Sequence, residues 1–253
     1  MSTLRGRPKR LILIRHAESL RNKAKDGNVY FPNEQSREEV KGIADHDIPL
    51  TALGHEQAVL AGIYLRDKFG APDFIYDSYY LRTRQTKDGI LSAFTPEEKA
   101  LIEQRSSISL RERDPGYTYD MTTHEALETF PFNDSHYNTF KGFFSRPIGG
   151  ESLADVAEKR TLPFLEKTYR DRDEQTVWFI CHGGTIRCLR MNIEHFSPWE
   201  FVEKPGPNNV GITVYDQQLV PKMIRGKQSG LRKKLFLTVF NDISWATDPS
   251  MIT

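Results

Sequence analysis

The sequence predicts an α/β fold with three layers, α/β/α, around a mostly parallel central sheet. Short apolar segments typical of buried strands alternate with longer segments of helical periodicity, the order that βαβ units produce. Two late strand-like segments follow each other without an intervening helix, which predicts an antiparallel edge strand. The 253 residues can form a large core, and we expect one domain over 1–253.

The strands and helices are placed by apolar periodicity and by capping residues. The first strand is predicted at residues 11–14, and a helix from about Thr51, a good N-cap, to Phe69, with Gly70 as its C-cap. The packing face of this helix should contain Ala58, Val59, Gly62, Ile63 and Leu65. The later elements are predicted as strand 73–77, a helix to about residue 94, strand 106–110, a long helix opening at 149–152, strand 176–181, helix 186–195, and strands 211–216 and 234–240 joined by a basic loop.

Two segments are too long and irregular to be ordinary connections, and we interpret them as insertions over the active site. The first, 23–47, is polar; the second, 117–147, is rich in aromatic residues that favour a small core of their own over a substrate wall. Asp45, His46 and Asp47 resemble metal ligands. Three consecutive side chains in an extended backbone do not converge on one ion, so a solvated loop is the preferred interpretation.

Composition limits the partners. The 35 basic and 34 acidic residues leave a net charge of +1, so no global field attracts nucleic acid or an anionic membrane, and we expect neither as a partner. No apolar segment approaches the roughly 18 residues of a membrane span, and the first residues lack the apolar core of a secretory signal. Cys181 and Cys188 form neither a disulfide framework nor a metal pair. We therefore expect a cytoplasmic protein.

Charged or nucleophilic side chains follow four of the predicted strands. They are Arg15 with His16, Arg82, Glu112 and His182. Parallel strands bring such ends to one edge of the sheet, and arginines there bind phosphate through charge-assisted hydrogen bonds. A helix starting after Gly183-Gly184-Thr185 would add backbone N–H groups and its positive end.

This combination of side chains also predicts phosphoryl transfer. Neutral imidazole is a nucleophile, and a neighbouring arginine lowers the histidine pKa so that the neutral form is available near pH 7. A second histidine and the arginines would stabilise the negative charge of the phosphoryl group in the transition state of its transfer. A carboxyl group could protonate the leaving oxygen and later take a proton from water.

Several separate segments resemble the motifs of the histidine phosphatase superfamily, the phosphoglycerate-mutase-like group. The sequence Arg15-His16-Ala17-Glu18-Ser19 with Asn22 is similar to R-H-G-E-S-x-x-N, with alanine in place of the usual glycine. The other matching segments are Pro49-Leu50-Thr51 with Gly54 and Gln57-Ala58, Ser78 with Arg82, Gln85 and Thr86, Leu110-x-Glu112, Gly149-Gly150-Glu151-Ser152, His182-Gly183-Gly184, and Asn241-Asp242. The resemblance therefore extends through nearly the whole chain.

The resemblance implies roles for individual residues. His16 would be the phosphorylated nucleophile, and Arg15, Arg82 and His182 would hold the phosphoryl group, assisted by Asn22 and the Gly183 amide. Glu112 would be the proton donor; its rivals nearby are Glu98, Asp114 and Asp120. The family needs neither a metal ion nor an organic cofactor. The methyl group of Ala17 should be tolerated unless that position requires positive φ.

Three functions can use such a site. We favour a metal-independent phosphomonoesterase, a hydrolase of the phosphatase branch, acting through phosphohistidine on a small phosphorylated metabolite. A phosphoglycerate-type mutase is the alternative, but the E-R-x-Y-G segment of glycolytic mutases is absent after Glu112, as is the D-E-I-x-x-G segment of the fructose-2,6-bisphosphatase type. A non-catalytic phosphate-binding member is disfavoured because His16 and His182 are both present. The substrate and the oligomeric state, for which a homodimer is one option, stay open.

Overall fold

The structure, a computed structural model, describes residues 6–139, 142–224 and 226–253. Its strands are β1 Arg10–Arg15, β2 Phe74–Asp77, β3 Glu103–Ser106, β4 Thr176–Cys181, β5 Ile212–Ile224 and β6 Lys227–Asp242. The α-helices are α1 Leu20–Lys25, α2 Glu34–Arg37, α3 Ala52–Phe69, α4 Leu81–Leu91, α5 Pro96–Leu101, α6 Thr123–Thr129, α7 Asn133–Thr139, α8 Leu153–Asp155, α9 Leu162–Asp171, α10 Gly183–Glu194 and α11 Pro198–Glu203. A π-helical segment, Val156–Thr161, joins α8 to α9.

The six strands form one sheet in the order β3-β2-β4-β1-β5-β6. The first four of these are parallel to one another, whereas β5 pairs antiparallel with β1 and with β6. The predicted fold class, a mostly parallel sheet with an antiparallel edge, is therefore confirmed. Because β1, β2 and β4 are parallel, their carboxyl ends lie at one edge of the sheet.

Alternating side chains of the central strands enter two separate cores. On β1, Ile12 and Ile14 pack toward α3 and α4 on one face of the sheet. Leu11 and Leu13 pack on the other face with side chains of α9 and α10. All four are fully buried, as expected for a strand covered by helices on both faces. The layers are thus helix, sheet and helix, with β1 in the middle.

Several predicted boundaries are wrong at the rim of the fold. The third strand is β3 rather than 106–110; its four residues are all exposed, so no apolar pattern marked it. Residues 108–110 form a 3₁₀ turn instead. The predicted basic loop between 216 and 234 belongs to the paired strands β5 and β6, which need little apolar sequence where both faces are exposed.

Two helices also differ in detail from the predictions. Thr51 and Gly70 cap α3 as expected, but Val59 and Ile63 are exposed, because the small residues Ala58 and Gly62 form the packing face with Leu65. Helix α10 begins at Gly183, three residues before the prediction, with the extended His182 as N-cap residue. The first turn of α10 therefore contains both glycines that follow His182.

The two segments interpreted as insertions contain short helices. Residues 23–47 include the end of α1, all of α2 and a 3₁₀ turn at Asp45–Asp47, and they enclose a small core of Phe31, Val40 and Ile48. In the second segment, 117–147, Phe143 is buried against Phe201, whereas Phe132 is exposed. Phe140, one of the aromatic residues of this segment, lies outside the described residues. In the part of the chain that the structure covers, no helix has both the length and the apolar character needed to cross a bilayer.

Candidate active site

The carboxyl ends of β1, β2 and β4 bring the two predicted histidines together. His16 follows β1 and His182 follows β4, and the paired strands place their ring centroids 5.1 Å apart. Both side chains are buried. Residues 78–82 follow β2 and supply Ser78 and Arg82 to the same edge.

His16 is held as a neutral imidazole that carries its proton on Nδ1. Its Nδ1 lies 2.8 Å from the carbonyl oxygen of Ala17, which can only accept a hydrogen bond. Burial lowers the pKa of His16 well below its usual value, and the positive charges of Arg82 and Arg15 lower it further. The ring proton therefore lies on Nδ1, and Nε2 keeps the lone pair that a nucleophile requires.

A chain of hydroxyl groups determines the tautomer of His182. Thr83 Oγ1 donates to the carbonyl oxygen of Tyr80 at 2.8 Å, so the Ser78 hydroxyl must donate to Thr83 Oγ1 at 3.0 Å. Ser78 Oγ then accepts from His182 Nε2 at 2.7 Å. Burial and the charge of Arg82 lower the pKa of His182, so the ring is neutral in the unliganded site. Its Nδ1, without a partner among the described residues, remains to take up a proton.

Two guanidinium groups flank the histidines. Arg15 donates from Nη1 to the carbonyl oxygen of Pro207 at 2.9 Å, and its buried Nε has no partner among the described residues. Arg82 contacts Asp45, with 3.1 Å between Nη1 and Oδ1. Asp45 is therefore an ion-paired residue and not a solvated one, which corrects the prediction for this position, whereas His46 and Asp47 are exposed. The Asp45 carboxylate positions Arg82 in the unliganded site.

Glu112 lines the same cavity as His16, and contacts of the neighbouring residues hold its loop in place. Glu151 pairs with Arg111 at 2.6 Å and with Arg160 at 3.0 Å. Arg160 and Thr185 both donate to the carbonyl oxygen of Arg111, at 2.8 and 2.7 Å. Glu151, part of the Gly149-Gly150-Glu151-Ser152 motif, thus fixes the backbone beside Glu112.

The three rivals of Glu112 have other contacts. Glu98 caps α5 through Thr95, Asp114 Oδ1 accepts from the Gly116 amide at 2.8 Å, and Asp120 Oδ2 accepts from the Gly42 amide at 3.2 Å. Of these four acidic residues, the described lining of the cavity includes Glu112 alone.

The absence of a side chain at Gly184 makes room for the Glu112 carboxylate. A Cβ atom at this position would lie 2.7 Å from Glu112 Oε1, which is the movable end of a side chain. We expect Gly184→Ala to displace that carboxylate, lowering kcat/KM for alkyl phosphates by about 10-fold or more if Glu112 transfers a proton. The helix itself should be stabilised by up to about 1 kcal/mol, because alanine is the better helix former. Steady-state kinetics measure the first effect and urea unfolding the second. A variant in which the free energy of unfolding falls together with kcat/KM would contradict this explanation.

The remaining predicted residues, Asn22, Gly183 and Ala17, lie around the histidines and arginines described above. Asn22 lines the cavity, and its Oδ1 accepts from Ser19 N at 3.1 Å. Gly183 adjoins Arg15: a Cβ atom on it would lie 3.6 Å from Arg15 Nε. Ala17 is buried and is not among the described residues with positive φ, so its methyl group is accommodated without backbone strain.

The sequence did not indicate one residue that supports the backbone of His16. Asn209 is buried before β5 and donates from Nδ2 to the carbonyl oxygen of His16 at 2.9 Å. The same Nδ2 lies 3.4 Å from Asn22 Oδ1. Asn209 thereby links the loop after β1 to the start of β5, and a single sequence contains no spacing that would indicate this contact.

A cavity of about 560 Å³ opens over His16, Arg15, Arg82 and Glu112, and its described lining includes neither His182 nor Gly183. Its described lining contains Arg15, His16, Asn22, Arg82, Glu112 and Gly184. It also contains four cationic residues that none of the quoted motifs includes, Arg21, Lys25, Arg113 and Arg187. Both predicted insertions contribute, the first through Tyr30 and Asp45 and the second through Tyr137. Within the described ranges, no group of three or more His, Cys, Asp or Glu side chains is arranged to hold a metal ion.

Comparisons with known proteins agree with the motifs. Residues 11–219 match the model of the histidine phosphatase superfamily (branch 1). The chain is 26% identical over 220 residues to a 2,3-bisphosphoglycerate-dependent phosphoglycerate mutase from Gloeothece citriformis, covering 75% of this chain and 86% of the mutase.

Two solved structures share the fold. A mycobacterial glucosyl-3-phosphoglycerate phosphatase in complex with inorganic phosphate has a TM-score of 0.64 at 21% identity, covering 94% of this chain and 100% of its own. A putative alpha-ribazole-5'-P phosphatase from Escherichia coli has a TM-score of 0.68 at 19% identity, covering 93% and 97%.

Proposed function

The chain belongs to the histidine phosphatase superfamily, and on that basis we propose that it is a phosphomonoesterase that acts through a phosphohistidine on a small phosphorylated metabolite. The observation that carries this proposal is the state of His16: its Nδ1 donates to the Ala17 carbonyl, and its pKa is lowered by burial and by two arginines. This leaves Nε2 unprotonated and beside the groups that bind phosphate.

In the first step His16 Nε2 attacks phosphorus while the ester P–O bond breaks. Arg15 and Arg82 bind the phosphoryl oxygens, and the oxygens compete with Asp45 for Arg82. The negative charge of the phosphoryl group raises the pKa of His182, whose Nδ1 then takes up a proton and donates it in a hydrogen bond. Glu112 gives its proton to the departing alkoxide oxygen.

In the second step water attacks the phosphohistidine. Glu112, now a carboxylate, takes one proton from that water, and the new P–O bond forms as the N–P bond breaks. Inorganic phosphate and neutral His16 result, and the protonated Glu112 is ready for the next ester. A mutase would use a second hydroxyl of the bound substrate at this point in place of water.

Purified protein should hydrolyse p-nitrophenyl phosphate in the presence of EDTA and be inhibited by vanadate, because arginines, histidines and a carboxyl group suffice for the proposed steps. Loss of activity on chelation that Mg²⁺ or Zn²⁺ restores would contradict metal-independent hydrolysis. The mutase alternative is tested with 3-phosphoglycerate and its 2,3-bisphosphate primer. Isomerisation faster than phosphate release would favour the mutase; we expect the reverse.

A further inference from the structure

The cavity contains more positive charge than one phosphoryl group neutralises. Of its described lining side chains, six are cationic, Arg15, Arg21, Lys25, Arg82, Arg113 and Arg187, and two are acidic, Asp45 and Glu112. A bound phosphoryl dianion would offset about half of the excess positive charge. The part that remains lies on residues other than Arg15 and Arg82, which serve the phosphoryl group.

Arg21 is one of these extra cations, and its position is fixed. It lies in α1, next to Asn22, and its guanidinium stacks on the Tyr119 ring with the Cζ atom 3.9 Å from the ring centroid. Nη2 donates to the carbonyl oxygen of Tyr119, whereas the buried Nη1 lacks a partner among the described residues. Burial lowers the pKa of Arg21 and the charges of Asp45 and Asp120 act in the opposite direction, although neither carboxylate forms an ion pair with Arg21 among the described residues. Arg21 is therefore a preorganised cation with unused hydrogen-bonding capacity.

Lys25 follows Arg21 by one helical turn, so both side chains lie on the same face of α1. Its Nζ donates to the carbonyl oxygen of Val29 and lies 5.3 Å from the Phe31 ring centroid. Burial lowers the pKa of Lys25 to about 7, Arg21 and Arg113 lower it as well, and Asp45 and Asp120 act in the opposite direction. The burial and mutual repulsion of these cations destabilise their charged forms, and a bound anion would offset that repulsion.

We propose that Arg21 and Lys25, with Arg113 beside them, bind a second anionic group of the substrate. The substrate is then a phosphomonoester that carries a carboxylate or a second phosphate on its leaving-group side. This inference rests on the proposed phosphatase activity and assigns the other end of the same cavity. Arg21 stands at a position written x in the R-H-G-E-S-x-x-N motif, so it is not among the residues on which the resemblance rests.

The test compares matched esters that differ only in the second anion. We would measure kcat/KM for ω-carboxyalkyl phosphates with two to six carbons and for the alkyl phosphates of equal length. Wild type should prefer the carboxylate at one or more lengths by about 10- to 100-fold, the range expected for hydrogen bonds to a charged group. Arg21→Gln and Lys25→Gln should each remove about 10-fold of that preference and leave alkyl phosphates and p-nitrophenyl phosphate within about twofold.

The control is Lys23→Gln, which removes an exposed lysine of the same helix that lies outside the cavity and should preserve the preference. If wild type hydrolyses p-nitrophenyl phosphate but shows no carboxylate preference at any length, the second subsite is refuted and the phosphatase proposal stands. If it hydrolyses none of the esters, the phosphatase proposal itself fails. A substitution that slows both esters of a pair equally would also overturn the assignment.

The pH dependence supplies a second measurement that a purely structural role would not affect. A carboxylate binds the protonated form of Lys25, so the preference should fall in wild type as pH rises from 6 to 8, through the pKa near 7. The carboxylate stays ionised over this range. The two esters of a pair have phosphate groups that ionise alike, so this ionisation cancels in the ratio of their kcat/KM values. In Lys25→Gln the preference should be nearly constant with pH. A wild-type preference that does not change between pH 6 and 8 would contradict the role of Lys25.

Discussion

His16→Ala should abolish turnover, with kcat/KM for p-nitrophenyl phosphate lowered by about 10⁴-fold or more, because no other neutral imidazole nitrogen replaces Nε2 of His16. His182 does not substitute: its Nε2 donates to Ser78 Oγ at 2.7 Å, and in the proposed mechanism its Nδ1 takes up a proton when the phosphoryl group binds. Rapid quenching of wild type with a ³²P-labelled ester should trap label in an acid-labile, alkali-stable bond. The variant should trap none.

The variant must be shown to fold, because His16 is buried. Arg15 and Arg82 remain in it, so inorganic phosphate should still bind, within about 10-fold of the wild-type affinity. The matched control is His55→Ala, which removes an exposed histidine of α3 and should keep full activity and labelling. Label retained in folded His16→Ala would refute the nucleophile assignment.

The sequence predicts the central strands of the sheet correctly, but not the bounds of its edge strands, and the reason is physical. Strands β1 and β4 are covered by helices on both faces, so nearly all of their side chains are buried and apolar. Such short apolar runs indicate strands directly. Strand β3 and the outer parts of β5 and β6 have exposed faces. These segments are strands because of main-chain hydrogen bonds alone. Such bonds do not require apolar side chains, so the sequence has no alternating apolar pattern there.

The site shows the same contrast between local and long-range information. Arg15 with His16 and His182 with its glycines are local motifs that immediately follow buried strands, so their common edge could be predicted. The contact of Asp45 with Arg82 closes a loop of 37 residues, and Asn209 reaches His16 across 193. Nothing local to those residues indicates a partner.

Arg21 and Lys25 are an intermediate case. Their spacing of four residues just after the first motif is a local pattern, and it would have placed them on one helical face. If 23–47 is an insertion, the segment that resembles the catalytic motif ends at Asn22. The structure shows that α1 continues across that boundary, which brings the two cations to the wall of the cavity.

Glu112→Gln should separate the two chemical steps. Glutamine keeps the size of the side chain but has no acidic proton, so kcat/KM for alkyl phosphates should fall by about 10²- to 10⁴-fold. The fall for p-nitrophenyl phosphate should be on the order of 10-fold or less, because nitrophenolate leaves without a proton. Release of nitrophenol should then show a burst of one equivalent per active site, since hydrolysis of the phosphohistidine still needs a base.

The comparison with Asp114→Asn makes the assignment of Glu112 specific. Asp114 lies two residues away on the same loop, and its carboxylate accepts from the Gly116 amide, a hydrogen bond that asparagine can also accept. This variant should retain activity on both classes of ester and show no burst. If Glu112→Gln instead slows alkyl and nitrophenyl esters equally and accumulates no phosphoenzyme, Glu112 acts by binding the phosphoryl group or its neighbours. The contacts of Glu151 and Arg160 with this loop would then serve phosphate binding rather than proton transfer.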